Sequence, residues 1–313
     1  MSGTSGAYVH LNGRCVAAAD ARVSVFDRGF VYGDGLFETM RAYHGVPFGL
    51  EEHLMRLRAS AEFLGIPVPR RRWAHDVLTL LRRNRLTGAD AWVRLTVTRG
   101  VAPYGLRPPA RPRPTVLITC GRVDPGLAAA QRDGVSVILL PFARHGFLAE
   151  HKTLNYVPAI IGKTMAARRG AFEGLFVEPD GTVTEGTTSN VFVWRKRRLI
   201  TPPVASLLPG LTRRLVLEAA VADGLRVEER RLTTRDVVAA DEVLLTASVV
   251  EVVPVIAVDG RAVGDGRVGP RTARLQDLYR QVVAERLSRR PRVPRRAAAG
   301  QGRGSLFFEK PLW

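Results

Sequence analysis

The sequence is poor in cysteine, poor in acids relative to bases, and without long apolar runs, and each shortage closes off a class of protein. Its two cysteines, Cys15 and Cys120, stand far apart without the paired spacing of a zinc site or a disulfide framework. No metal is therefore read into the chain, and a reducing compartment fits best. No apolar stretch approaches the ~18 residues of a membrane span, and no N-terminal segment combines the basic, apolar and small-residue parts of a signal peptide. A cytoplasmic protein without a membrane partner is expected. No internal repeat is visible. What is present is a chain of 313 residues with 46% hydrophobic and 24% charged content. That is the profile of a folded protein of about two domains, at roughly 100 to 200 residues each, each able to bury a core unaided.

Lys and Arg number 47 against 29 Asp and Glu, a net charge of +18. Eight of the bases fall from Arg286 onward, against the single acid Glu309. The basic residues are overwhelmingly Arg, a bias that raises charge everywhere without building a binding face. No recognition helix, zinc spacing or stacking motif accompanies them, so nucleic acid is not expected as a partner.

Along the chain, residues 7–11 and 14–18 flank Asn12-Gly13, the signature of a β-hairpin. Strand character returns at 37–42, 92–98 and 115–119, with a Pro-rich loop at 103–114. Leu50, Leu54, Leu57, Ala61 and Leu64 recur at helical spacing before Gly65 and Pro67, and 73–84 is a second helix. In the second half, helices are expected at 157–169, 211–223 and 269–289, and strands at 174–177, 190–194, 243–246 and 253–258. The pattern predicts an α/β (α+β) protein with an N-terminal domain over 1–120 and a polar connector at 121–133. A larger C-terminal domain over 134–290 and a basic, disordered tail at 291–313 complete it.

Three features taken singly are ordinary. Lys152 precedes a helix, Glu185 sits among small hydroxyl residues in Thr184-Glu-Gly-Thr-Thr-Ser-Asn190, and Gly210 with Thr212 opens a helix whose free N–H groups favour an anion. Together, an amine, a carboxylate and an anion cradle are what an aldehyde cofactor bearing a phosphate requires.

Those segments, with Asp27-Arg-Gly-Phe-Val-Tyr-Gly-Asp-Gly-Leu-Phe-Glu-Thr39, His53-Leu-Met-Arg56 and Leu208-Pro-Gly-Leu-Thr-Arg213, resemble the class IV aminotransferases. These are the fold-type IV pyridoxal 5'-phosphate enzymes, among them branched-chain and D-amino acid aminotransferases, (R)-amine transaminases and aminodeoxychorismate lyase. The resemblance runs over roughly residues 7–280, and it implies a two-domain protein with the cofactor between the domains and a homodimer. The loop after Gly100 would then face the partner subunit or the substrate entrance.

The resemblance also implies roles. Lys152 matches the lysine that bonds the cofactor's aldehyde and moves the substrate proton. Glu185 matches the carboxylate facing the pyridine nitrogen, and Arg56 the phosphate-binding arginine. Leu211 is expected against the ring, Thr212 and Ser248 on the phosphate, and Tyr156 on the phenolic oxygen with Asn155 behind it. On the substrate side stand Phe30, Tyr32, Phe37, Arg41, Arg94 and Arg107, with the amide of Val249; an arginine suits a substrate carboxylate.

The reaction expected is ping-pong transamination between an amino acid, branched-chain or other, and a 2-oxo acid. Phe37-Glu-Thr-Met-Arg41 departs from the Phe-Glu-Gly-Ile-Arg common in branched-chain enzymes and occurs in lyase-like members, whereas Asn155-Tyr156 is closer to the transaminases. The alternative is therefore an aminodeoxychorismate lyase, giving 4-aminobenzoate and pyruvate.

Overall fold

The computed structural model describes residues 7–289 apart from residue 145. The segment 291–313, expected to be a disordered tail, lies outside the described residues. Six strands form an antiparallel sheet: β1 (Tyr8–Leu11), β2 (Arg14–Ala17), β3 (Gly35–Tyr43), β4 (Val46–Pro47), β5 (Ala91–Thr98) and β6 (Val116–Arg122), in the order β2-β1-β6-β5-β3-β4. The turn between β1 and β2 puts Asn12 and Gly13 at positive φ, as a two-residue hairpin demands.

Alternation decides what each face of this sheet carries. On β5, Val93, Leu95 and Val97 enter the core while Trp92, Arg94 and Thr96 take the opposite face. On β3, Leu36 and Met40 enter the core, and Glu38 goes in with them. Covering that core, α2 (Leu50–Leu64) buries Leu50, Leu54, Leu57 and Ala61, and α3 (Trp73–Arg83) buries Val77, Leu80 and Leu81; both follow α1 (Arg28–Tyr32) in the chain. The periodic apolar positions of both long helices are thus the ones in the core.

The second sheet comprises β7 (Val135–Leu140), β8 (Glu173–Val177), β9 (Thr182–Gly186), β10 (Asn190–Arg195), β11 (Arg198–Thr201), β12 (Arg226–Glu229), β13 (Leu232–Thr233), β14 (Glu242–Ala247), β15 (Glu251–Val258) and β16 (Arg261–Ala262). Its order is β12-β11-β10-β14-β15-β7-β8-β9-β13, with β16 on β15. The remaining helices are α4 (Leu127–Asp133), α5 (Val157–Arg168), α6 (Leu211–Ala222), α7 (Thr234–Val238) and α8 (Pro270–Ser288). Helices α6 and α8 pack on β10 and β14 through Leu215, Val216, Leu275 and Tyr279. The expected connector at 121–133 differs: β6 runs on to Arg122, and α4 packs against β15. Its flanking Gly and Pro disguised a run of three alanines, Ala128 to Ala130, that favours helix. Among the described residues no helix is long and apolar enough to cross a membrane.

Candidate active site

Backbone pairing fixes the position of Lys152. The N–H of Phe37 donates to the Lys152 carbonyl at 2.9 Å and the N–H of Leu154 donates to the Gly35 carbonyl at 2.9 Å, so residues 152–154 run along the start of β3. A Cβ on Gly35 would meet the Val97 carbonyl oxygen at 2.8 Å and the Leu154 side chain at 2.7 Å, so only glycine admits this approach. The result places the Lys152 Nζ 3.2 Å from the Tyr156 hydroxyl and 4.8 Å from the centre of the Phe37 ring, with Phe37 and Tyr156 in edge contact at 4.8 Å. Lys152 is half-buried and has no ion-pair partner among the described residues.

Glu185, at the end of β9, is 3% exposed. Arg144 Nη1 donates to its Oε1 at 2.8 Å and the Leu208 N–H to its Oε2 at 3.2 Å. Burial pushes its carboxyl above the usual glutamate value, opposed by Arg144, the Leu208 amide and the charge of Lys152.

A second cluster lies at the opening of α6. Arg56 donates from Nε and Nη2 to the two oxygens of Glu38, at 2.7 Å each, and from Nη1 to the Pro209 carbonyl at 2.7 Å. Glu38 is fully buried and also bonds His53 Nδ1 at 2.7 Å, while His53 Nε2 lies 3.4 Å from Ser248 Oγ. Although burial opposes ionisation, Arg56 and His53 outweigh it and hold the Glu38 carboxyl down at about 2. Arg56 therefore stays fixed beside the first amides of α6. That helix has Gly210 as N-cap and no side-chain cap, and a Cβ there would meet Asn190 Oδ1 at 2.0 Å. The terminal N–H groups of Leu211 and Thr212 remain for an anion.

The expected residues do not all converge. Lys152, Tyr156 and Phe37 form one group with Arg94, whose guanidinium sits 3.6 Å from the centre of the Phe37 ring. Arg94 has no acidic partner among the described residues, and burial pulls its pKa below the ordinary arginine value. Arg41, expected to grip substrate, instead has its donors on Asp90 at 2.5 Å and the Val249 carbonyl at 3.0 Å, with Glu251 at 3.4 Å. Tyr32 accepts from the Gly105 N–H at 3.2 Å and stacks under Arg28; Phe30 and Arg107 are exposed. Among the described residues none of these three has a hydrogen bond or ring contact with Lys152, Tyr156 or Phe37. Arg144, Glu38 and the part of His53 were not among the expected site residues. Only Glu38 and His53 carried a signal: a carboxylate in the apolar phase of a strand, and a histidine one helical turn before Arg56.

An amine against a tyrosine, a buried carboxylate and a cationic anion seat at a helix start, set where two sheets meet, define an enzyme built around a phosphate-bearing aldehyde. The sequence pattern described as amino-transferase class IV matches residues 35–258, and the chain belongs to that family of pyridoxal-phosphate-dependent aminotransferases. It is 39% identical over 280 residues to a putative branched-chain-amino-acid aminotransferase of Methanocaldococcus jannaschii, covering 88% of this chain and 96% of the relative. It is 35% identical to a D-alanine aminotransferase of Bacillus licheniformis (88% and 98% covered) and 33% identical to an aminodeoxychorismate lyase of Bacillus subtilis (88% and 94%). The fold matches the crystal structure of the Escherichia coli branched-chain amino acid aminotransferase with a TM-score of 0.81 at 29% identity, over 89% of this chain and 95% of that one. The donor set fits the family's cofactor, with an uncapped helix start and Arg56 for the phosphate, Lys152 for the aldehyde and Glu185 for the ring nitrogen.

Proposed function

We propose that the enzyme moves an amino group between an amino acid, branched-chain or other, and a 2-oxo acid, with Lys152 as the catalytic residue. When bound, pyridoxal phosphate supplies an aldehyde for the amine and a ring that draws electrons from the carbon bearing it. Lys152 Nζ would hold the cofactor's aldehyde and would serve as the base and acid that moves the proton at the substrate α-carbon. Tyr156 would donate to the ring oxygen and stands against Nζ; Glu185, paired with Arg144 and the Leu208 amide, would face the ring nitrogen. Arg56, the α6 amides at Leu211 and Thr212, and Ser248 bind the phosphate. Arg94, beside Phe37, takes a second, side-chain carboxylate where the substrate has one, and the Val249 amide meets the carboxylate next to the reacting carbon.

The observation carrying this reading is the 3.2 Å contact of Lys152 Nζ with Tyr156 within a register fixed by β3. Borohydride treatment of the cofactor-loaded enzyme should attach the phosphopyridoxyl mass at Lys152, and Lys152→Ala should lose both the label and turnover by about 1000-fold. A labelled site elsewhere, or a Lys152→Ala enzyme of undiminished activity, would overturn the assignment. Feeding L-amino acids, D-amino acids and (R)-amines without acceptor, and following the cofactor's absorbance, identifies the donor.

The lyase reading keeps two supports, the 33% identical lyase relative and the segment Phe37-Glu-Thr39. It predicts 4-aminobenzoate and pyruvate from aminodeoxychorismate with no acceptor present.

The assembly we propose is a cytoplasmic homodimer. Exposed apolar side chains favour it: Phe30 at 77%, Tyr104 at 99%, Leu106 at 79% and Phe147 at 78%, with Val157 and Ile160 on α5. The loop bearing Tyr32's partner Gly105 and Arg107 would face the second copy or the substrate entrance. A monomer by sedimentation of the active enzyme would remove this part.

A further inference from the structure

The hairpin joining β14 and β15 has a three-residue loop, Ser248 to Val250, closed by the pair Ala247 and Glu251. A left-handed backbone conformation at the close of such a loop is least costly for glycine. Here Glu251 occupies that position at φ +61°. Its side chain is not an idle surface group. The Tyr43 hydroxyl donates to Oε1, Gln131 Nε2 donates to Oε2 at 3.0 Å, and Arg41 Nη1 stands 3.4 Å away.

The same donors reach past the carboxylate to the loop backbone. Arg41 Nη1 donates to the Val249 carbonyl at 3.0 Å and Gln131 Nε2 to the Val250 carbonyl at 2.8 Å. On the other side His53 meets Ser248. Arg41 and Tyr43 belong to β3, the strand that carries Phe37, pairs with Lys152 and sends Glu38 to Arg56. A glutamate where glycine would be easier, half-buried against two donors from the other sheet and one from α4, has the arrangement of a clamp.

We propose that Glu251 is a positioning residue, whose carboxylate, gripped by Arg41, Tyr43 and Gln131, locks the Ser248–Val250 loop to β3 so that the loop meets the substrate carboxylate in fixed register with Lys152. The inference rests on the reading of Ser248 and Val249 as ligand-facing. Arg41 acts with it as a second positioning residue.

The test compares Glu251→Gly, which removes the clamp and relieves the backbone, with Glu251→Gln, which keeps an acceptor for Tyr43. Both are loaded with pyridoxal phosphate. Binding of 4-methyl-2-oxopentanoate and 2-oxoglutarate to the aminated cofactor form is measured by calorimetry, alongside KM, kcat and cofactor retention. Glu251→Gly should raise Kd and KM for both acids at least tenfold while kcat changes less than threefold and cofactor retention less than threefold. Glu251→Gln should recover to within about threefold of wild type. Binding within twofold of wild type in Glu251→Gly overturns the proposal, as does an equal loss of cofactor and acid, which is a fold effect. Should Glu251→Gly lose its cooperative melt, Tyr43→Phe carries the same comparison with a threefold rise in Kd expected and an unchanged Kd overturning it. A wild type not labelled at Lys152 by borohydride refutes the function and this inference together; a labelled wild type with an indifferent Glu251→Gly refutes the inference alone.

Discussion

Replacing Glu38 by Gln keeps its shape and deletes its charge, which makes it the sharpest probe of the cluster behind the anion seat. The carboxylate is fully buried, bonded twice to Arg56 and once to His53. Its pKa lies at about 2 against an ordinary 4.5, a span equivalent to about 3 kcal/mol of folding stability at neutral pH. Removing one partner of a buried pair typically costs ~3–5 kcal/mol, the same order. Because the folded value is depressed, this stabilisation is complete above 4.5 and drains away as the pH falls towards 2. Urea denaturation of cofactor-free wild type and Glu38→Gln at pH 7, 5, 4 and 3 should show a gap of about 3 kcal/mol at pH 7 that narrows with acid. A gap below about 1 kcal/mol at pH 7, or one independent of pH, would refute the reasoning.

Two further substitutions test the chemistry. Arg144→Ala takes the nearest cation from Glu185, so burial raises that carboxyl further; the acid limb of the pH–rate profile should move to higher pH and kcat at pH 7 should fall roughly tenfold or more, and an unmoved limb would count against the pairing. Arg94→Leu removes an arginine with no acidic partner beside Phe37, and should raise KM for 2-oxoglutarate about 10- to 100-fold while leaving 4-methyl-2-oxopentanoate within about threefold; equal effects on the two acids would show that Arg94 does not read the second carboxylate.

The long helices and the strands of the first sheet are legible in the sequence because each has one buried face, and burial of one face writes a period of 3.6 or 2 into the residues. Thus α2 and β5 fall where their apolar spacing puts them. Helix α4 is not legible, since its alanines look like connector until β15 lies beneath them. The family, and with it the cofactor, follows from short segments in order around Lys152, Glu185 and Gly210, because the chemistry fixes those residue types locally. What the arginines do does not follow. Arg41, Arg94 and Arg144 are equivalent in sequence as long cations near a site, and their work depends on which carboxylates the fold brings to them from far along the chain. Asp90 and Glu251 reach Arg41, Glu185 reaches Arg144, and Arg94 is left without an acidic partner among the described residues. Local pattern determined the long elements and the family, while the pairing of charges that lie far apart in the chain, a matter of distance in space, was decided only by the tertiary structure.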